Sequence, residues 1–297
     1  MRTAPPLVVA LVSGLGWHVQ DLARAAVASH VEFRPVPFPK VVGRVADGPV
    51  RIEAAGNDLA VADGVLVRMM PPGTLEQVVF RMDALQRLAA SGVPVLNPPG
   101  AVEAAVDKYL ALAKLDAAGL GVPPTWAGEL AAEALDAFDR LGGDVVVKPL
   151  FGAEGRGLVR VSDREVARRV FHAIERIGSV LYLQRFIDHP GHDLRAFVLG
   201  DRVVGAIRRH APDGDWRTNV AVGGKAEAVA LEPEADRLAR RAAGAVGARM
   251  AGVDLIADPV RGLLVLEVNA VPGWRALAAA TGVDVAAEVL SELLVRA

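Results

Sequence analysis

The chain has 297 residues, of which 52% are hydrophobic, so it carries enough apolar side chains for one large domain or roughly two to three small lobes. Its 33 basic and 35 acidic residues give a formal net charge of −2, which argues against a nucleic-acid-binding protein because such domains are usually strongly basic. The absence of cysteine excludes a disulfide framework, a thiolate metal site and a cysteine nucleophile, and it agrees with a cytoplasmic protein.

Residues 1–100 alternate short apolar runs with helical patterns, which is typical of a small open α/β lobe. The run Leu7–Val12 is shorter than a secretory h-region of about 7–15 residues and indicates a first buried strand. A glycine turn, residues 13–16, and a helix to about Ala28 follow. Because Val19 stands where the third glycine of the dinucleotide-binding fingerprint would be, we interpret this turn as structural. No transmembrane span is expected.

The most informative stretch is residues 144–158, which read D-V-V-V-K-P-L-F-G-A-E-G-R-G-L. The valine run predicts a buried strand that ends at Lys148, and lysine is rarely buried unless it is paired. A loop with Gly152, Gly155 and Gly157 follows, and glycines let backbone N–H groups approach an anion closely. The stretch predicts a lysine and a flexible flap that face a polyphosphate. The alternative is a β-hairpin whose lysine extends to solvent. Before this stretch, residues 101–118 predict one helix that carries Asp107 and Lys108.

The last third of the chain predicts an antiparallel sheet. Three successive strands are expected at Asp193–Leu199, Arg202–Arg209 and Trp216–Val220, and a hairpin is expected from Val253–Ala257 and Leu263–Asn269.

The hairpin is rich in oxygen ligands. If its turn is centred near Val260, Asp254 lies opposite Glu267, and Asn269 shares the sheet face of Glu267. Adjacent carboxylates repel unless one is protonated or a cation lies between them, and oxygen ligands suit Mg²⁺ or Mn²⁺. The flanking leucines indicate a buried sheet and favour this metal site over a solvated edge hairpin. Together with the lysines and the glycine loop, the hairpin predicts a polyphosphate bound with a divalent cation. The signatures of P-loop proteins and of protein kinases are absent from the sequence.

These segments, in this order, resemble the ATP-grasp carboxylate–amine ligases, in particular the branch of the ribosomal protein S6 glutamate ligase and the α-L-glutamate ligases that extend pterin cofactors. The resemblance covers roughly residues 60–290. It rests on residues 106–108, 147–157, 184–187, 193–195, 216–219 with Gly223 and Gly224, 251–254, and 266–269 with Pro272 and Gly273. It implies an α/β ATP-grasp fold, with an N-terminal open α/β lobe at residues 1–100, a central lobe with the glycine flap at 101–185 and a C-terminal lobe with the metal site at 186–297.

The resemblance also implies ATP and Mg²⁺ (or Mn²⁺) and assigns roles to individual residues. Lys108 and Lys148 would contact the phosphates beneath a flap that contains Gly152, Glu154, Gly155 and Gly157. Adenine would be recognised by Gln184, Arg185, Phe186 and Ile187, mainly through the backbone of Arg185 and Phe186. Asp193 would lie near the ribose. Arg217 and Asn219 would lie near the transferred phosphoryl group. The catalytic residues would be Arg217 and Lys148. The metal ions would be held by Asp254, Glu267 and Asn269.

The implied reaction forms an amide through an acyl-phosphate, and we expect L-glutamate to be added to a small carboxylate acceptor such as a tetrahydromethanopterin-type cofactor. Trp274 and Arg275 are bulky residues near the expected acceptor site, and an aromatic ring with a cation would suit a planar, anionic substrate. Arg185 stands where much of this branch has an acidic residue. The alternatives are a glutamate ligase for a protein or peptide C terminus and a nucleotide-binding regulatory protein without turnover. Neither nucleic acid nor membrane is an expected partner, and related enzymes are often oligomeric, which by analogy admits a homo-oligomer.

Overall fold

The structure is a computed structural model that describes residues 4–46, 51–152 and 155–295. Within these residues three main β-sheets are each covered by helices, and a small three-stranded sheet accompanies the first. No helix in these ranges is both long enough and apolar enough to cross a membrane.

The first sheet is parallel, with strand order β2–β1–β6–β7. Valine and leucine runs form its central strands because both faces are covered, which buries every side chain of β6. A capping box between Thr74 and Gln77 starts the helix that follows β6. β3 and β4 pair antiparallel in the small sheet, and residues 47–50 between them lie outside the described ranges. The elements are β1 (Leu7–Val12), α1 (Trp17–Ala28), β2 (Glu32–Pro37), β3 (Val41–Arg44), β4 (Arg51–Ala54), β5 (Asn57–Asp58), β6 (Gly64–Val67), α2 (Leu75–Ala90), β7 (Val95–Leu96) and α3 (Pro99–Val106).

The second sheet is antiparallel, with strand order β10–β9–β11–β8, and packs against two helices through a core that includes Phe138 and Phe171. The single helix predicted for residues 101–118 is wrong. The chain leaves helical geometry at Asp107, whose carboxylate caps the next helix by accepting hydrogen bonds from the N–H groups of Tyr109 and Leu110. The elements are α4 (Lys108–Ala117), β8 (Thr125–Gly128), α5 (Ala131–Arg140), β9 (Val145–Lys148), β10 (Val159–Val161), α6 (Arg164–Arg176) and β11 (Leu181–Arg185).

The third sheet is antiparallel, with strand order β14–β13–β12–β15–β16. The strand predicted at Trp216–Val220 is wrong: the strand that pairs with β13 is β14, and residues 216–219 instead line a cleft. The hydroxyl of Thr218 donates to Asp193 inside the protein, which fixes this segment as a loop. The elements are β12 (His192–Leu199), β13 (Arg202–His210), β14 (Lys225–Ala228), α7 (Pro233–Ala245), β15 (Met250–Asp258), β16 (Gly262–Asn269), α8 (Arg275–Thr281) and α9 (Val285–Leu294).

The first and third sheets share one hydrophobic core. Val8 and Ala10 of β1 lie in the same cluster as Phe197 of β12 and Leu290 and Leu293 of α9. The last helix of the chain therefore packs on the first sheet, and it fixes the position of that sheet relative to the antiparallel one.

Candidate active site

A cleft lies between the second and third sheets, and its empty space, counted out to its open mouth, is about 810 Å³. Ligand pockets typically measure about 300–1,000 Å³, so the cleft has room for a nucleotide. Its lining carries six basic and three acidic side chains, an excess of positive charge that suits a polyphosphate. The basic residues are Lys108, Lys148, Arg156, Arg185, Arg209 and Arg217, and the acidic residues are Asp193, Asp254 and Glu267.

Most residues that the sequence assigned to the site converge on this cleft. Beyond the charged residues Lys108, Lys148, Arg185, Arg217, Asp193, Asp254 and Glu267, the lining includes Gly152, Gly155, Gln184, Phe186, Ile187 and Asn219. Of the predicted site residues that the structure describes, Gly157 and Asn269 are not part of the lining. Glu154 lies outside the described ranges.

The two lysines approach the cleft from different elements. Lys108 is the first residue of α4, where the Asp107 cap places it, and its Nζ donates to the carbonyl oxygen of Gly152 at 2.6 Å. Lys148 ends β9, and its Nζ donates to Oε1 of Gln184 at 2.6 Å. Burial lowers the pKa of Lys148 to about 8, against the opposing charge of Glu267, and burial also lowers the pKa of Lys108.

The glycine flap contacts the loop on the opposite side of the cleft. Gly155 has a φ of +72°, and a Cβ added there would lie 2.6 Å from Oδ1 of Asn219. Only glycine fits this position without strain, because a side chain would meet both an unfavourable backbone conformation and a close neighbour. Gly155 of the flap therefore lies against the segment that carries Arg217 and Asn219, at the edge of the cleft. Arg217 itself is held by Asp215, with Nη2 donating to Oδ2 at 2.7 Å.

The strand expected to recognise adenine is tied into the sheet. The N–H groups of Arg185 and Phe186 donate to the carbonyl oxygens of Pro124 and Asp144, both at 2.9 Å. Backbone contacts of these two residues to a base would consequently have to use their carbonyl oxygens. The Arg185 side chain is also engaged, since Nη2 donates to Oδ2 of Asp258 at 2.7 Å. The guanidinium of Arg160 lies 3.5 Å from the Phe186 ring centroid and fixes that ring.

A buried network of carboxylates and arginines, which the sequence analysis missed, forms the floor of the cleft. Arg209 is 2% exposed and bridges Asp193 and Asp254: Nε donates to Asp193 at 2.8 Å, and Nη2 lies 2.8 Å from Asp254. Arg195 also donates to Asp254, at 2.7 Å from Nε. Burial alone would raise the pKa of Asp254, but Arg195 and Arg209 outweigh it and lower that pKa.

The sequence contained one signal for this network. Side chains two residues apart share a strand face, so Asp193 and Arg195 point the same way along β12. Arg209 lies opposite Asp193 on one neighbouring strand, and Asp254 lies opposite Arg195 on the other. The pairing partners are 16 and 59 residues apart, and only the sheet register brings them together.

In the predicted metal hairpin Asp254 lies opposite Glu267, as expected, and a register shift between Asp254 and Leu255 produces this pairing. The donor set fits a hard cation only in part. Asp254 already accepts three hydrogen bonds or ion pairs from Arg195 and Arg209, out of about four lone-pair sites on a carboxylate. Oδ1 of Asn269 accepts from the N–H of Val271 at 2.8 Å.

Within the described ranges no group of three or more His, Cys, Asp or Glu side chains could hold a metal ion. Mg²⁺ nevertheless needs only one or two carboxylates when water and phosphate supply its other ligands. Glu267, with the remaining capacity of Asp254, meets this requirement.

The expectation that the Trp274 ring faces the acceptor is wrong. Trp274 is fully buried, its Nε1 donates to Asp21 at 2.9 Å, and its ring packs edge-on against Phe197. Its indole belongs to the core that the first and third sheets share. Arg275 is exposed, and its guanidinium lies 5.7 Å from the Trp17 ring centroid.

Comparisons with known proteins agree with this architecture. Residues 105–293 match the model of the RimK-like ATP-grasp domain. The chain is 36% identical over 273 residues to the tetrahydromethanopterin:α-L-glutamate ligase of Methanosarcina acetivorans, covering 82% of this chain and 84% of that protein. It is 33% identical over 276 residues to a probable α-L-glutamate ligase of Nitrosococcus oceani, covering 92% and 90%.

Solved structures show the same fold along almost the whole chain. The ATP-grasp ligase PsnB in complex with a minimal precursor superposes with a TM-score of 0.78 at 22% identity, covering 99% of both chains. A RimK domain ATP-grasp protein from Sphaerobacter thermophilus superposes with a TM-score of 0.74 at 23% identity, covering 97% of this chain and 99% of that one. The chain therefore belongs to the RimK-like ATP-grasp family and is an ADP-forming ATP-grasp ligase.

Proposed function

We propose that this protein is an ATP-dependent α-L-glutamate ligase that adds L-glutamate to a small carboxylate acceptor, such as a tetrahydromethanopterin-type cofactor. The observation that carries the proposal is the 36% identity, across 82% of this chain and 84% of the relative, with a ligase of that description. The basic cleft beneath a glycine flap supports it, because the reaction requires a bound polyphosphate that is shielded from water.

The cationic residues of the cleft have a direct electrostatic role in this proposal. The acceptor carboxylate and the γ-phosphate of ATP are both negative, so their approach must be screened. Lys108 and Lys148 contact the phosphates, and Arg217 turns from Asp215 towards the phosphoryl group in transfer. Bound Mg²⁺ supplies further positive charge at the phosphate oxygens. Glu267, Asp254 and Asn269 are the residues proposed to hold it.

The remaining site residues position the nucleotide and exclude water. The base is contacted by four successive residues, Gln184, Arg185, Phe186 and Ile187. Asp193 lies near the ribose, and Asn219 lies near the phosphoryl group. The flap, which includes Gly152, Glu154, Gly155 and Gly157, covers the phosphates, because an acyl-phosphate open to water would hydrolyse before an amine attacked it. In this proposal the protein has three lobes, at residues 1–100, 101–185 and 186–297.

The test is ADP release with ATP, Mg²⁺ and a panel of amino acids, each offered with a pterin acceptor, with a peptide acceptor and with no acceptor. We expect release that requires L-glutamate together with the pterin acceptor. Release that requires the peptide instead would assign a peptide ligase. No release with any pair, while ATP still binds tightly, would mean that the acceptor lies outside the panel or that the protein is regulatory.

A further inference from the structure

Arg68 is a buried arginine that the proposed reaction leaves without a role. It directly follows β6 and is 3% exposed, and its Nε and Nη1 have no hydrogen-bond partner among the described residues. Burial lowers its pKa to about 10, so the group stays protonated at neutral pH. A buried cation without an anion is costly to the folded state. The guanidinium lies 4.6 Å from the Trp274 ring centroid, a contact that satisfies none of its N–H groups.

Arg68 lies where parallel sheets commonly bind ligands. Its N–H donates to the carbonyl oxygen of Leu11 at 2.9 Å, so it sits at the carboxyl ends of β1 and β6. From β1 the chain passes through α1 to β2 on one side, and from β6 it passes through α2 to β7 on the other. The order in which the strands are added to the sheet thus reverses between β1 and β6. The crevice outside such a switch point is the usual ligand site of an open α/β sheet.

The N terminus of α1 opens onto the same crevice. Its cap residue, Gly16, makes no side-chain capping bond, and its first turn has no acidic residue. A Cβ added at Gly14 or Gly16 would meet no atom within 4 Å, so there is open space in front of the helix. An uncapped helix N terminus favours an anion.

His18 links this helix turn to Arg68. Its Nε2 accepts from the N–H of Trp274 at 3.1 Å, and the two rings are 4.8 Å apart. Burial, with the nearby positive charges of Arg68 and Arg275, lowers the pKa of His18 to about 4. Asp21, the acidic residue of this helix, already accepts from Trp274 and Arg24, and among the described residues it forms no ion pair with Arg68.

We propose that Arg68, the N terminus of α1 and Arg275 form a binding site for a carboxylate group of a substrate. The loop of residues 270–274 runs directly from β16, which carries Glu267, and a Cβ at Gly273 would lie 3.4 Å from Nε2 of His18. The site therefore adjoins the segment that leaves the metal hairpin. The inference rests on the proposed function for the nature of the substrate, since both L-glutamate and a pterin-type acceptor carry carboxylates.

The test compares R68M, R68K and a control, R249M, in the full-length protein. Arg249 is a largely buried arginine that the structure pairs with Glu292, away from the cleft. We expect R68M to retain or raise the thermal midpoint of the substrate-free protein, because it removes an unpaired buried charge. R249M should lower the midpoint, because it leaves Glu292 without its partner.

Binding is measured by calorimetric titration with glutarate, a dicarboxylate that cannot react as an amine. Glutarate should bind to the wild-type protein and to R249M, bind less tightly to R68K, and not bind to R68M. In turnover assays, R68M should raise the KM of one substrate at least about thirtyfold, since truncating one partner of a buried charge pair is costly. The KM of ATP should not change. An effect on the KM of L-glutamate or on that of the acceptor identifies which carboxylate is bound.

Two results would overturn the site. One is glutarate binding that is absent from the wild-type protein or equal in wild-type protein and R68M. The other is a large fall in the thermal midpoint of R68M with unchanged KM values, which would make Arg68 a packing residue for Trp274. If no substrate pair supports ADP release, the proposed function fails, and the glutarate titration still decides the carboxylate site.

Discussion

Glu267 is the residue on which the proposed metal site depends most. Asp254 is largely occupied by Arg195 and Arg209, so the charge that attracts a cation falls mainly to Glu267. We expect E267Q to lower kcat/KM by more than about a hundredfold, because metal stabilisation of the transition state is worth several kcal/mol. The matched control is E288Q on α9, where Glu288 is paired with Arg202 at the surface. Near-normal activity of E267Q, measured by ADP release, would remove the metal assignment.

Lys148 gives the protein a pH-dependent stability. Its pKa is 10.5 in a model peptide and about 8 in the folded protein because of burial. Between these values the unfolded chain binds more protons than the folded one, so stability rises with pH, and below about pH 8 the buried ammonium destabilises the fold.

We therefore expect K148M to be more stable than the wild-type protein at about pH 7, by roughly 1–3 kcal/mol. The difference in free energy of unfolding between K148M and the wild-type protein, measured by urea unfolding, should become smaller towards about pH 10. The control K114M changes an exposed lysine of α4 and should show little difference at either pH. If the difference in free energy of unfolding stays constant between about pH 7 and pH 10, the lowered pKa of Lys148 is not its cause.

At the level of elements, the flap depends on the backbone of Gly155. G155A places a Cβ against Asn219 in a backbone conformation that costs about 1–2 kcal/mol for other residues. We expect kcat/KM to fall at least about tenfold, because the flap can no longer close in this geometry. The matched control is G178A after α6, where φ is +68° and no atom lies within 4 Å of the added Cβ. Equal losses of activity in both variants would assign the effect to backbone strain alone.

Helix boundaries show how an element can place a functional group. The continuous helix expected for residues 101–118 would not have positioned Lys108 at a helix start. The break at Asp107 does so, and it directs the Lys108 ammonium to the flap carbonyl of Gly152. The sequence contained an aspartate in the right place, but apolar periodicity continued across it and concealed the cap.

At the scale of the whole molecule, Asn97 joins the first sheet to the third. Its side chain is fully buried, donates to the carbonyl oxygens of Met250 and Ala270, and accepts from the N–H groups of Arg249 and Met250. N97A would leave these backbone groups buried without partners, at about 1–3 kcal/mol each. We expect the thermal midpoint to fall by roughly 5–10 °C in calorimetry.

The control for this junction is N57A, which removes an exposed asparagine of β5 and should change stability by less than about 0.5 kcal/mol. Because the first and third sheets share a core, they should unfold in one transition, and N97A should shift that transition as a unit. Separate melting of the first sheet would contradict this coupling.

The sequence by itself determined most of the elements, the family resemblance and much of the cleft lining. Apolar runs identified the buried strands. The hairpin turn pairs Asp258 with Gly262, and a register shift between Asp254 and Leu255, which no sequence pattern predicted, brings Glu267 opposite Asp254.

Only the tertiary structure decided which side chains meet across distant segments. Arg209 bridges Asp193 and Asp254 because two strand pairings bring them together, and Trp274 is core rather than substrate-facing because α1 and β12 cover it. No pattern in the sequence distinguishes Arg68 from the other arginines. Its burial beside an open helix N terminus follows from the way β1 and β6 adjoin, which no local pattern specifies.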